Sequence, residues 1–103
     1  MKAIRSFSRQ IVAEYKPRQI ILFGSYADGK PGPDSDVDLL VILPEKDITA
    51  GKAVEIRFKL HPNFPLDLLV RSAMTIRQRI TMGDCFMEEI LSKGKILYEA
   101  HHA

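Results

Sequence analysis

Two aspartates, Asp36 and Asp38, stand one residue apart at the head of an apolar run that continues to Leu43. Ten residues before them, a Gly24-Ser25 pair closes another apolar run, Ile20 to Phe23. Side chains at i and i+2 of a strand leave by the same face, so the two carboxylates point the same way. Like charges held side by side repel unless a cation lies between them. A Gly-Ser turn presents bare backbone N–H groups and suits a phosphate. A phosphate cradle beside paired carboxylates is the equipment for metal-assisted nucleotidyl transfer. For an isolated Asp-x-Asp, two solvated aspartates at a strand start would be the simpler reading.

These residues need strands to carry them, and the flanking pattern supplies them. Ile4, Phe7, Ile11 and Tyr15 recur at helical spacing, which predicts an amphipathic helix ending near Lys16-Pro17. Ile20 to Phe23 reads as a buried strand, Ser25 to Gly29 as a helical turn with positive φ at Gly29, and Lys30 to Ser35 as a loop. Asp36 to Leu43 is the second strand. Leu40 and Ile42 continue its Asp face, while Val37, Leu39, Val41 and Leu43 line the other, so both faces should be covered. Between Ala53 and Leu60, apolar Val54, Ile56, Phe58 and Leu60 alternate with charged residues, a strand-like period. Leu66 to Val70 is a third strand. Thr75 and Gln78 form a capping box for a short helix. Asp84 caps another, with Phe86, Met87, Ile90 and Leu91 as its apolar stripe and Gly94 as its stop. Lys95 to Glu99 closes the chain as a short strand. The expected class is α/β (α+β): a small sheet flanked by helices.

Composition narrows the function. A chain of 103 residues with 46% hydrophobic content is expected to be one folded domain, residues 1–103. No apolar run approaches the ~20 residues of a membrane span, and the amphipathic N-terminus lacks a signal peptide's apolar core. A net charge of +2 does not argue for nucleic-acid binding. Arg71, Arg77 and Arg79 are the nearest thing to a basic cluster and read as a solvated helix face. The single cysteine, Cys85, is expected to be a buried, inert thiol. His61, His101 and His102 lack metal-ligand spacing, and the last two read as a frayed tail.

The pattern Gly-Ser, ten residues, Asp-x-Asp, with a later strand aspartate at Asp67, resembles the polymerase-β-like nucleotidyltransferase superfamily. The chain is most similar to its minimal nucleotidyltransferases, over about Gln19 to Glu99. The resemblance implies a small mixed sheet, and a helix rather than a strand over 53–60. It also implies that Asp36, Asp38 and Asp67 hold Mg²⁺, two ions, and are the catalytic carboxylates. Asp67 lies within Pro65 to Val70, where a lone buried charge would be costly, and it shares a face with Leu69, so it can lie beside Asp36 and Asp38 if the strands pair; a local hydrogen bond at a strand end is the plainer alternative. Gly24 and Ser25 would bind the triphosphate of ATP, although Ser25 could equally be only a helix N-cap. Lys30 could reach a phosphate or simply be solvated. Ser35 could touch a phosphate or tie down its loop. One departure stands out: many members carry a basic residue where this chain has Asp28. A carboxylate there is expected to weaken triphosphate binding unless it points away.

Three functional readings follow. The first is Mg²⁺-dependent transfer of AMP from ATP to a hydroxyl. By resemblance the acceptor is a partner protein, a helical HEPN-domain toxin that the chain would adenylylate as a cytoplasmic antitoxin. A small acceptor such as an aminoglycoside is the lesser form, because those enzymes carry an additional helical domain. The second is a binding module that neutralises its partner by masking it. The third, nucleotide addition to RNA, has no basic aromatic surface behind it. Self-association is left open by the sequence.

Overall fold

The computed structural model describes residues 1–100. His101 and His102, read from the sequence as a tail, lie outside the described residues. Helix α1, Lys2–Tyr15, ends where Lys16 turns into the left-handed region at φ 50° and Pro17 follows. Strand β1, Gln19–Phe23, leads into a 3₁₀ turn, Gly24–Tyr26. Strand β2, Val37–Leu43, is followed by helix α2, Gly51–Leu60. Strand β3, Leu66–Ser72, runs directly into helix α3, Ala73–Thr81. Helix α4, Cys85–Lys93, and strand β4, Lys95–Glu99, complete the described chain.

The four strands form one mixed sheet in the order β3-β2-β1-β4. β1 is antiparallel to both β2 and β4, and β2 is parallel to β3. A parallel neighbour needs a crossover, and α2 provides it. Helices cover both faces. Val37, Leu39, Val41 and Leu43 pack with Ile20 and Leu22 against Ile4, Phe7 and Ile11 of α1 and Ile56 of α2. Ile21, Leu40 and Ile42 face the other way, against Ile76 of α3 and Met87 and Ile90 of α4. The division of β2 into two apolar faces is the one expected from its sequence.

Several local expectations change. The alternation over 53–60 is helical, as the resemblance implied. A helix cannot bury residues at i, i+2 and i+4 together, so only Ile56 is buried, while Val54 and Phe58 face outward. The capping box at Thr75 and Gln78 lies one turn too late: Ser72 caps α3, its Oγ accepting from the Thr75 backbone N–H at 3.0 Å. Arg71 belongs to β3 rather than to a helix face, and it donates to the Val70 carbonyl at 2.9 Å. Asp84 caps α4 as expected, accepting from the Met87 N–H at 3.1 Å. Only Met87 and Ile90 of the expected stripe are buried; Phe86 and Leu91 are exposed. Cys85 is exposed too, because the first residue of α4 faces away from the sheet.

Gly94 stops α4 for a steric reason. Its φ of −69° is open to any residue. A side chain there would run into the Ile90 carbonyl and the Ile21 methyl, and would sit 3.2 Å from the Leu22 carbonyl. Close approach of the α4–β4 junction to β1 is what demands glycine.

Candidate active site

One end of the sheet gathers residues far apart in sequence. β2, β3 and β4 begin there and β1 ends there, as the antiparallel and parallel registers require. Asp38 stands opposite Phe23 across one ladder and opposite Asp67 across the other. Asp67 shares its face with Leu69, and Asp38 with Leu40, so both carboxylates emerge on the α3–α4 side. Asp36 precedes β2 and is exposed. Asp67 is exposed as well, so the expected cost of burying its charge does not arise; the register, not burial, places it beside Asp38.

Asp38 is the half-buried member of the trio. Burial, and then the neighbouring charges of Asp67 and Asp36, push its pKa above the ordinary carboxylate value. Among the described residues, no three acidic, histidine or cysteine side chains converge closely enough to enclose a metal by themselves. The donor set still fits Mg²⁺. Mg²⁺ takes oxygen ligands, keeps several waters and is completed by substrate phosphates, so an open carboxylate group suits it better than a closed cage. A cation beside Asp38 would offset the burial and the neighbouring charges that raise its pKa.

Gly24 comes up against Asp38. Its φ of 72° lies in the left-handed region, and a Cβ would overlap the Asp38 carboxylate. The loop beyond is held by its own backbone: Ala27 and Asp28 N–H groups donate to the Gly24 carbonyl at 3.1 Å, and Lys30 N–H donates to the Ser25 carbonyl at 3.0 Å. Ser25 does not cap this turn. Phe23 holds the cap position, and the turn has no side-chain capping bond. Gly29 adopts the expected positive φ, 74°. Ser35 ties down its own loop, accepting from the Gly32 N–H at 2.8 Å.

A cleft of about 470 Å³ opens at this end of the sheet. Gly24, Asp28, Asp38 and Asp67 line one side. Phe86, Glu89, Ile90 and Lys93 of α4 line the other, with Phe23 and Gly94 at the junction. Asp36, Ser25, Lys30 and Ser35 do not line it. Sequence reasoning missed the α4 contribution by placing Phe86 in the buried stripe. The spacing 86, 89, 90, 93 is itself one helix face, and its mixture of aromatic, acid, aliphatic and cation is unlike a core.

A family model for the nucleotidyltransferase domain matches residues 4–96. Two proteins of Methanocaldococcus jannaschii bear the name "Putative protein adenylyltransferase". MJ0604 is 30% identical, covering 94% of this chain and 96% of its own length. MJ0141 is 28% identical, covering 91% of this chain and 94% of its own length. A crystal structure of a "putative nucleotidyltransferase" from Sulfolobus solfataricus superposes with a TM-score of 0.68 at 13% identity, over 95% of this chain and 78% of that one. A crystal structure described as a toxin–antitoxin with AMP-PNP gives a TM-score of 0.60 at 22% identity, over 94% and 74% of the two chains. At such identities the structural likenesses speak for the fold.

Proposed function

The chain belongs to the nucleotidyltransferase domain family, a class of enzymes, and we propose that within it the protein transfers AMP from ATP to a hydroxyl of a partner protein. Asp38 and Asp67 held in register at the open end of the sheet, with Gly24 against Asp38, carry this reading. The names of the M. jannaschii relatives support a protein acceptor. The toxin–antitoxin neighbours support a toxin as that acceptor, and we take it to be a HEPN-type helical protein with this chain as its cytoplasmic antitoxin.

In this reading the acceptor oxygen bonds to the α-phosphorus, and the bond from that phosphorus to the bridging oxygen breaks. Pyrophosphate leaves with the electron pair. Asp67, the exposed member of the facing pair, is placed to take the hydroxyl proton. Asp36, Asp38 and Asp67 would hold Mg²⁺, which when bound neutralises charge on the phosphates and favours in-line displacement. Gly24 leaves the Asp38 carboxylate room against the turn, whose backbone would meet the phosphate chain.

One observation favours a second reading. Asp28 lines the cleft, where it repels a triphosphate. A protein that masks its toxin without transferring anything would tolerate that charge.

Thermal unfolding with ATP, with and without Mg²⁺, separates the two. Ligand at a hundredfold above Kd adds ~2.7 kcal/mol, a rise on the order of 10 °C for a domain of this size. The transferase reading expects that rise in the wild type with Mg²⁺ and its loss in Asp36→Asn/Asp38→Asn. No rise at millimolar ATP, together with toxin neutralisation that survives the double substitution, would replace transfer by masking.

A further inference from the structure

Helix α4 supplies a wall of the cleft that the carboxylate motif does not explain. Phe86 is 55% exposed and borders the cleft. It is not loose: its ring sits edge-to-face against Phe23, with centroids 6.1 Å apart and planes at 83°. Phe23 is the register partner of Asp38, so the ring is fixed close to the carboxylate end of the sheet. Ile90, one turn on, is buried and gives the cleft an apolar floor. Lys93 is two turns from Phe86, ~10 Å along the helix axis, and is the only cation lining the cleft among the described residues. Its partner is Glu89 at 3.6 Å, in an exposed pair. Exposed pairs contribute little, so the ammonium can turn to another anion at small cost.

Resting on the nucleotide-transfer reading above, we infer that α4 is the element that grips the nucleotide, with Phe86 stacking on its base and Lys93 contacting its phosphate chain. An aromatic face stacks on any base, and the contact with Phe23 positions the ring before a ligand arrives, which lowers the ordering cost. Lys93 offsets Asp28 on the opposite wall, which accounts for how a triphosphate can be held where the loop carries an acid in place of a base. Lys30, the cation nearest in sequence to the Gly-Ser turn, does not line the cleft; the charge comes from the far end of the chain.

The test is direct binding of Mg-ATP and of Mg-tripolyphosphate, which lacks a base, to wild type and to Phe86→Ala, Phe86→Tyr, Lys93→Gln and Lys93→Arg. Both side chains are exposed, and circular dichroism checks that each variant is folded. Phe86→Ala is expected to weaken ATP by about tenfold to a hundredfold and to leave tripolyphosphate unchanged, with Phe86→Tyr retaining ATP. Lys93→Gln is expected to weaken both ligands by a similar factor, and Lys93→Arg to restore both. Phe86→Ala that binds ATP like the wild type, or that loses both ligands equally, would overturn the assignment of the base platform. Lys93→Gln that binds tripolyphosphate normally would overturn the phosphate contact. If wild type binds ATP and Asp36→Asn/Asp38→Asn does not, either failure touches α4 alone. If wild type binds neither ligand, the nucleotide reading falls with it.

Discussion

Asp38 is where the residue-scale chemistry concentrates. Its folded pKa lies above the unfolded value near 3.8, raised first by burial and then by Asp67 and Asp36. For an acid shifted upward, the native state holds more protons than the unfolded state within the window, so stability falls as pH rises through it. At neutral pH the metal-free protein therefore bears the full cost. Asp38→Asn removes it, and the metal-free variant is expected to melt above wild type at pH 7. That gap should close as pH is lowered past the unfolded value, where both states are protonated, and the variant should gain nothing from Mg²⁺. Calorimetry across pH, with and without Mg²⁺, reads both effects. Gly24→Ala works in the opposite sense. It forces a Cβ into the left-handed region and onto the Asp38 carboxylate. A loss of ~1–2 kcal/mol is expected, roughly 5–15 °C in Tm, together with a weaker Mg²⁺ response because the carboxylate must move.

At the scale of elements, the helices are joined to the sheet through few residues each. α2 buries Ile56 alone, with Ala53 and Leu60 half-buried beside it. Ile56→Ala should therefore cost about 2–5 kcal/mol, whereas Phe58→Ser, at a residue 78% exposed, should stay within about 0.5 kcal/mol of wild type. Denaturant unfolding of the two variants tests the helical reading directly, since a strand with the sequence's alternation would bury 56 and 58 alike. The cap of α3 offers a second comparison. Ser72→Ala removes the bond to the Thr75 N–H and should cost about 1 kcal/mol; Gln78→Ala, outside any cap, should be close to neutral. The sequence pointed to Thr75 and Gln78 instead, because Ser72 is also the last residue of β3, and only the seamless strand-to-helix junction makes it the cap.

The whole molecule is organised around two central strands. β1 and β2 have neighbours on both edges and helices on both faces, and their middle residues are fully buried. Their amides are expected to exchange with solvent only through global unfolding. The loop from Gly29 to Asp36, exposed and held by short local bonds, should exchange far faster. Hydrogen-exchange mass spectrometry reads this contrast. Mg-ATP should slow exchange in the Gly24–Tyr26 turn and beside Asp36 more than in β1 or β2, because the ligand bridges segments that the fold alone leaves open. No helix among the described residues is long and apolar enough to cross a membrane.

Elements whose periodicity matches their environment could be predicted from residue order alone. α1, β1 and both faces of β2 were legible because each buries one regular set of side chains, and the Gly-Ser to Asp-x-Asp spacing announced the family. Three things were decided only in three dimensions. Segment 53–60 alternates like a strand, and it became a helix because β2 and β3 are parallel and need a crossover between them. Asp67 was argued in part from a burial it does not have; the strand pairing on which its place also depended is the β2–β3 register, which sets it opposite Asp38. Phe86 looked like core, and it lines the cleft with Lys93 because Gly94 lets α4 close onto the end of β1. Local pattern records what a residue needs, but not which distant strand end or helix face meets that need. That pairing belongs to the tertiary structure.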